Sequence, residues 1–301
     1  MKILLTGITG FIGHHLAIKL LNEGHKVFAI VRPSSKINEL SKNLQSNIEI
    51  FTYCNDNTVF DIITDMCVKG NRPDVVYHLA TFQPNKHRFE DIKNLIQSNI
   101  TFGTEILDAM VLNNVYNFVN TGTFFQHYEN ADYSPMNLYA ATKTCFEKII
   151  QFYTEVKGLR CISLHLFNTY GENDKRGKFL ALVQKVSISG KTLKMSPGEQ
   201  FIDIVYIDDV IDAFILAGKY LNARKYDICG TYGISSGNPI KLRKIIEIFE
   251  KISNKRLSIE WGGLPYRERE IMVPWTSYKI LPGWEPKVNL EDGIKKFLKL
   301  R

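Results

Sequence analysis

LLTGITGFIG, residues 4 to 13, sets a leucine-rich run against three glycines in GxxGxxG spacing (Gly7, Gly10, Gly13) and leads straight into the amphipathic stretch FIGHHLAIKLLNEG. Strand, tight turn and helix in that order let the backbone approach a pyrophosphate closely and seat it at a helix N-terminus. A tight turn with no ligand is the structural alternative. The first half of the chain repeats the alternation: KVFAIVR then INELSKNL, IEIFTY then VFDIITDMCVKG, and VVYHLA then DIKNLIQSNITFGTEILDAMVLNN, followed by YNFVNT, the NLYAATK helix and CISLHLF. This rhythm predicts an α/β fold of the Rossmann type, a doubly wound parallel sheet with right-handed crossovers.

After roughly residue 168 the pattern breaks into short elements punctuated by Gly and Pro (KMSPGEQ, EWGGLPYRERE, ILPGWEP). The expected organisation is a dinucleotide-binding domain over 1–168, with a segment about 201–228 returning to it. Residues 169–301 then form a smaller C-terminal α/β substrate-binding lobe covering a crevice at the sheet's C-terminal edge.

Composition excludes several classes. The net charge of +7 comes from scattered Lys and Arg with acidic neighbours, as in NLEDGIKKFLKLR, so nucleic acid is not the expected partner. Five cysteines, odd in number and never CxxC, fit reduced thiols in a cytoplasmic protein with no disulfide framework and no metal site. No run of apolar residues is long enough for a membrane span, and MKILLTGITGFIG makes a poor signal peptide.

At the tip of the second strand a ribose-reading carboxylate is expected, but the residues are Val31, Arg32, Pro33, Ser34, Ser35 and Lys36. A guanidinium beside hydroxyls and a lysine suits a 2'-phosphate, so NADP(H) is the expected cofactor, with NAD(H) as the alternative. In NLYAATK, Tyr139 and Lys143 stand four apart and share a helix face. The cation favours the phenolate, which makes the phenol a tunable acid toward a carbonyl oxygen while hydride reaches its carbon. Thr121, closing the strand FVNT, can hydrogen-bond the same oxygen.

GITGFIG, HLAT at 78 to 81, Asn99 in SNITFGT, NTGTFF, YAATK, LFNTYG, GEQFIDIVYIDDV, REREIM and GWEP together resemble the extended short-chain dehydrogenase/reductases that act on nucleotide sugars. The C-terminal motifs are similar to the CDP- or dTDP-hexose 4-ketoreductases, such as the abequose and paratose synthases. The resemblance implies Tyr139 as general acid, Lys143 as its electrostatic partner and Thr121 as third member of the catalytic set. It implies cofactor contacts from Gly7, Thr9, Gly10, Phe11, Ile12, Gly13, Arg32, Ser35, Asn55, Asp56, Leu79, Ala80, Thr81, Asn99, Tyr139 and Lys143. Substrate contacts fall on Thr81, Thr121, Thr123, Tyr139, Asn168, Lys178, Phe179 and Arg267, with Asn168 and Arg267 at the diphosphate.

Gly122 and Thr123 stand where dehydratase relatives carry an acid and a base, and Thr123 and Asn173 where 3,5-epimerising reductases carry theirs. What remains is hydride transfer at C4 of the sugar, as net reduction or as C4 epimerisation. Arg32 in place of an acidic residue favours NADPH-dependent reduction of a nucleoside-diphosphate 4-keto-6-deoxy sugar, in deoxysugar biosynthesis for a surface polysaccharide. The alternatives are an NAD-dependent C4 epimerase and a non-catalytic NADP-sensing protein. Ile202 replaces an arginine common in relatives, which shifts the phosphate grip to Arg267, Lys178 or Arg269. His165, alone in an apolar strand, reads as a hydrogen-bonded core residue. A homodimer through helices over 91–112 and 137–157 is expected on family analogy.

Overall fold

The computed structural model describes residues 1–300. Its strands are β1 (Lys2–Thr6), β2 (Lys26–Val31), β3 (Glu49–Thr52), β4 (Val75–His78), β5 (Asn117–Thr123), β6 (Arg160–Leu166), β7 (Asn168–Tyr170), β8 (Leu193–Met195), β9 (Phe201–Ile202), β10 (Ile204–Tyr206), β11 (Gly230–Ile234), β12 (Ile240–Lys241) and β13 (Ile259–Trp261). The α-helices are α1 (Phe11–Asn22), α2 (Lys42–Asn47), α3 (Val59–Val68), α4 (Asp91–Ile96), α5 (Phe102–Leu112), α6 (Leu138–Lys157), α7 (Phe179–Ser189), α8 (Ile207–Asn222), α9 (Leu242–Ser253) and α10 (Leu290–Leu298).

Seven strands form one sheet in the order β11-β6-β5-β4-β1-β2-β3, and every pairing from β3 across to β5 is parallel. The expected Rossmann-type α/β fold is what the chain adopts. The strand order reverses between β1 and β4, because β2 and β3 lie on one side of β1 and β4 on the other. At such a switch point the crossovers diverge and leave a crevice beyond the carboxyl ends of the strands. β1 and β4 are buried almost throughout, as a central parallel strand covered on both faces must be.

Two compact units divide the chain. The first comprises Met1–Thr123, Leu138–His165 and Ile211–Tyr232, and the second Phe124–Asn137, Leu166–Val210 and the residues from Gly233 onward. In the first, helices α3, α5 and α6 pack on the sheet through Ile62, Ile63, Phe102, Ile106, Met110 and Phe146, and the sheet contributes Phe118. Each such side chain, removed from water, contributes about 1.5–3 kcal/mol. Gly103 lets the Phe146 ring lie against α5, since an added Cβ would meet that ring at 2.4 Å.

In the second, β7 and β10 pair in parallel, so Asn168 lies opposite Ile204 and Tyr170 opposite Tyr206. The carboxylate of Asp209 accepts from the amides of Lys287 and Val288, and its carbonyl accepts from the Trp284 indole. This anchors the GWEP segment.

Candidate active site

β1 delivers Thr6 to the turn. Gly7 follows with φ of 76°, and an added Cβ would lie 2.7 Å from the Ala80 nitrogen at the end of β4. An added Cβ at Gly13 would lie 2.2 Å from the Gly7 carbonyl oxygen, so α1 starts pressed against the turn. Gly10 caps α1 without any side-chain hydrogen bond, which leaves the first amides of this helix directed outward. The Thr6 hydroxyl meets His78 Nδ1 at 3.0 Å and accepts from the Ala80 amide at 3.2 Å, fastening the ends of β1 and β4 together. Thr9, Phe11 and Ile12 lie in the turn and first helical residues, and Leu79, Ala80 and Thr81 follow β4 across the switch point.

At the tips of β2 and β3 an open groove of about 660 Å³ is lined by Arg32, Pro33, Ser34, Tyr53, Cys54, Asn55, Asp56, Asn94, Gln97 and Ser98. The expected Arg32, Asn55 and Asp56 therefore share one cavity. Tyr53, Gln97 and Ser98 are lining residues that sequence reading missed. Burial pushes the Tyr53 phenol up, and the charge of Arg32 opposes that rise. The Ser35 hydroxyl accepts from the Arg32 amide at 3.1 Å and so shapes the loop. Lys36, expected beside the guanidinium, is instead ion-paired to Glu39 at 2.9 Å. Glycine cradle, bare helix end and the polar groove with its arginine together fit a dinucleotide.

Asn99 sits in a π-helical turn, Gln97–Thr101, and is buried. Its carboxamide oxygen accepts from the Thr81 hydroxyl and the Phe82 amide, both at 2.8 Å. Its nitrogen donates to the Phe82 carbonyl at 3.1 Å and to the Thr142 hydroxyl at 2.9 Å. All four capacities of the group are met inside the protein. Asn99 is thus a brace from the loop after β4 to α6.

α6 presents Tyr139 and Lys143 on one face, 7% and 2% exposed. Burial pulls the Lys143 ammonium down to about 8, and the charge of Glu147 works against that fall. His78 behind it is driven to about 3, first by burial and then by Lys143, so it stays neutral. Its Nε2 is buried without a partner, among the rings of Phe102, Phe118 and Phe146. Thr121 donates to the His78 carbonyl at 2.9 Å, which leaves its oxygen lone pairs to receive a hydrogen bond.

Gly122 is closed to any side chain, because an added Cβ would lie 2.2 Å from His165 Cδ2 and 3.0 Å from Glu147 Oε1. Those two groups pair at 2.5 Å. His165 is the hydrogen-bonded core residue that was expected. Glu147 was missed, although it continues the four-residue spacing of Tyr139 and Lys143.

The second unit holds the remaining expected residues. Asn168 donates to the Asp203 carbonyl at 3.2 Å. Both Asp203 carboxylate oxygens accept from the next segment, from the Ser235 hydroxyl and the Ser236 amide, and Tyr278 donates to Ser235. Lys178 caps α7 without a side-chain cap, with Phe179 the first helical residue. Its ammonium is lowered by burial first, then by Arg176 and Arg267, with Asp174 opposing. Asp174 grips Arg176 through both oxygens at 2.8 Å. Cations gathered at a bare helix start form a seat for an anion. Arg269 is not in it: its guanidinium donates to Pro135 and Ser134 and lies 4.3 Å over the Tyr128 ring. Arg176 was missed by sequence reading. Thr123, the last residue of β5, is buried.

Residues 3–229 match the NAD dependent epimerase/dehydratase family. The chain is 30% identical to CDP-abequose synthase of Salmonella muenchen over 307 residues, covering 100% of this chain and 98% of the relative. It is also 30% identical to CDP-abequose synthase of Yersinia pseudotuberculosis over 299 residues, with 99% and 98% covered. Among solved structures, UDP-glucuronic acid 4-epimerase from Bacillus cereus in complex with UDP-glucuronic acid and NAD superposes with a TM-score of 0.84 at 25% identity, covering 99% of this chain and 98% of that one. The glycine turn, the parallel sheet and the full-length likeness converge: the chain belongs to the NAD dependent epimerase/dehydratase family.

Proposed function

We propose that this protein is an NADPH-dependent reductase of the C4 keto group of a nucleoside-diphosphate 4-keto-6-deoxy sugar. The observation that carries this reading is Arg32 in the groove at the tip of β2, and Gly122 argues against water elimination. The residue after Thr121 has no room for the acid that water elimination requires, while the Tyr139 and Lys143 pair for carbonyl chemistry is complete. The names of the two CDP-abequose synthases, matched end to end, support a nucleotide sugar as substrate.

In this reading Gly7, Gly10, Gly13 and the α1 amides hold the pyrophosphate, and Arg32 faces the 2'-phosphate. When bound, the nicotinamide supplies hydride to C4. Tyr139 gives its phenolic proton to the C4 oxygen, so carbon gains hydride, oxygen gains the proton, and the ketone becomes an alcohol. Lys143 stabilises the phenolate left behind and holds the ribose. Thr121 accepts from the new hydroxyl. Lys178, Arg267 and Asn168 hold the diphosphate, with Phe179, Thr81 and Thr123 lining the substrate.

The second reading, an NAD-dependent C4 epimerase, is supported by the B. cereus epimerase bound to NAD. One assay separates them. CDP-, dTDP-, GDP- and UDP-4-keto-6-deoxyhexoses are offered with NADPH or NADH, and products are identified by NMR. Stoichiometric NADPH consumption with a C4 alcohol is the expected result. Interconversion of C4 epimers without net cofactor consumption assigns the epimerase instead.

Arg32→Glu is expected to lower kcat/KM with NADPH by about 10- to 100-fold, the loss of a charge-assisted contact, while NADH is little affected. Equal losses with both cofactors in steady-state assays would remove Arg32 from the 2'-phosphate.

A homodimer is proposed through α4, α5 and α6. Ile92, Ile96, Phe152 and Val156 on these helices are 38% to 62% exposed. Light scattering at micromolar concentration is expected to give twice the chain mass, and a monomer refutes the pairing.

A further inference from the structure

Tyr139, Lys143 and Glu147 follow one another at four-residue steps, so one face of α6 carries a phenol, an ammonium and a carboxylate. Lys143 is 2% exposed, and a buried cation with no counter-charge gives up its proton readily. Glu147 supplies the charge that opposes this loss. Its Oε1 is held 2.5 Å from Nε2 of His165, whose side chain is 1% exposed on β6. The missing side chain at Gly122 is what allows the imidazole and the carboxylate to meet there.

Two further ionisable groups near the pair are held neutral at neutral pH. His78 on β4 feels Lys143 but is held neutral by burial. Cys161 on β6 feels Glu147, and burial pushes its thiol up to about 12. Tyr139, on α6 itself, is the phenol that Lys143 serves. Glu147 is an anion whose charge acts on Lys143.

We infer that Glu147, braced by His165, is a positioning residue: the counter-ion that keeps Lys143 charged for its work on the phenol and on the cofactor ribose. This rests on the cofactor-facing role of Lys143 proposed above. The measurement needs no sugar substrate. NADPH affinity is followed by fluorescence from about pH 7 to about pH 9.5, a range in which an ordinary lysine of pKa about 10.4 stays charged. In the wild type, affinity is expected to fall as pH rises through about 8, where Lys143 loses its proton. Removing a neighbouring anion lowers a lysine pKa, so Glu147→Gln, isosteric and still able to meet His165, moves that midpoint down by about one pH unit. Glu147→Asp, which keeps the charge, stays near the wild type.

A folded Glu147→Gln protein with the wild-type midpoint overturns the inference, as does a wild-type affinity that is flat across the range. Should Glu147→Gln not fold, His165→Gln is read in its place. A downward shift there supports the brace, and an unchanged midpoint overturns it. A wild-type protein with no NADPH affinity at any pH would instead defeat the cofactor reading, so the two failures are distinguishable.

Discussion

Tyr139→Phe is expected to lower kcat for keto-sugar reduction by about 100- to 10,000-fold, the contribution of a positioned general acid, while NADPH affinity stays within about twofold of wild type. Tyr139 is 7% exposed and the residue stays buried in the variant, because phenylalanine keeps the ring's shape. What is lost is the proton that must reach the C4 oxygen. Without it, hydride addition leaves an alkoxide beside a buried, low-dielectric wall. Binding survives because the pyrophosphate seat is built from backbone at Gly7, Gly10 and Gly13 and does not involve the phenol. Pre-steady-state and steady-state rates with the 4-keto sugar, alongside NADPH fluorescence titration, provide the test. A variant turning over at the wild-type rate would show that the proton comes from elsewhere.

Gly122→Asp is expected to destabilise the fold by more than about 4 kcal/mol. Its Cβ would overlap the His165 ring at 2.2 Å, and its carboxylate would enter a site where Glu147 Oε1 already lies 3.0 Å from that Cβ. Overpacking and a second buried anion act in the same direction. Gly122→Ala isolates the steric part, at about 1–3 kcal/mol. In a His165→Ala background the same substitution should cost less, with a coupling of at least about 1 kcal/mol by urea denaturation. A Gly122→Asp variant as stable as the wild type would mean that this pocket opens, and the argument against water elimination would fall with it.

Much of the molecule was legible from the chain alone because the signals are local. The alternation of short apolar runs with amphipathic stretches follows from the two periods of backbone geometry, and it points to the parallel sheet. Gly7 and Gly13 announced the turn because Gly7 takes a positive φ and Gly13 packs directly on the Gly7 carbonyl. Tyr139 and Lys143 share a face for the elementary reason that a helix repeats every 3.6 residues.

Other decisions depended on residues far apart in sequence. Asn99 is a polar residue in a helical pattern until Thr81, Phe82 and Thr142 close around it. Arg269 looked as available as Arg267 until the loop at 134–135 accepted its protons. Arg32, Asn55 and Asp56 become one groove only when β2 and β3 lie side by side. The exclusion of a side chain at Gly122 is a fact about Glu147 and His165 meeting there.

The amino-acid order by itself therefore determined the sheet, the anion-binding turn and the phenol with its cation, since each is set by backbone periodicity within a few residues. Which polar groups stay open to a ligand and which are consumed internally was decided by tertiary packing alone. A hydrogen bond has directional partners, and their arrival from distant strands and helices is not encoded in any local spacing.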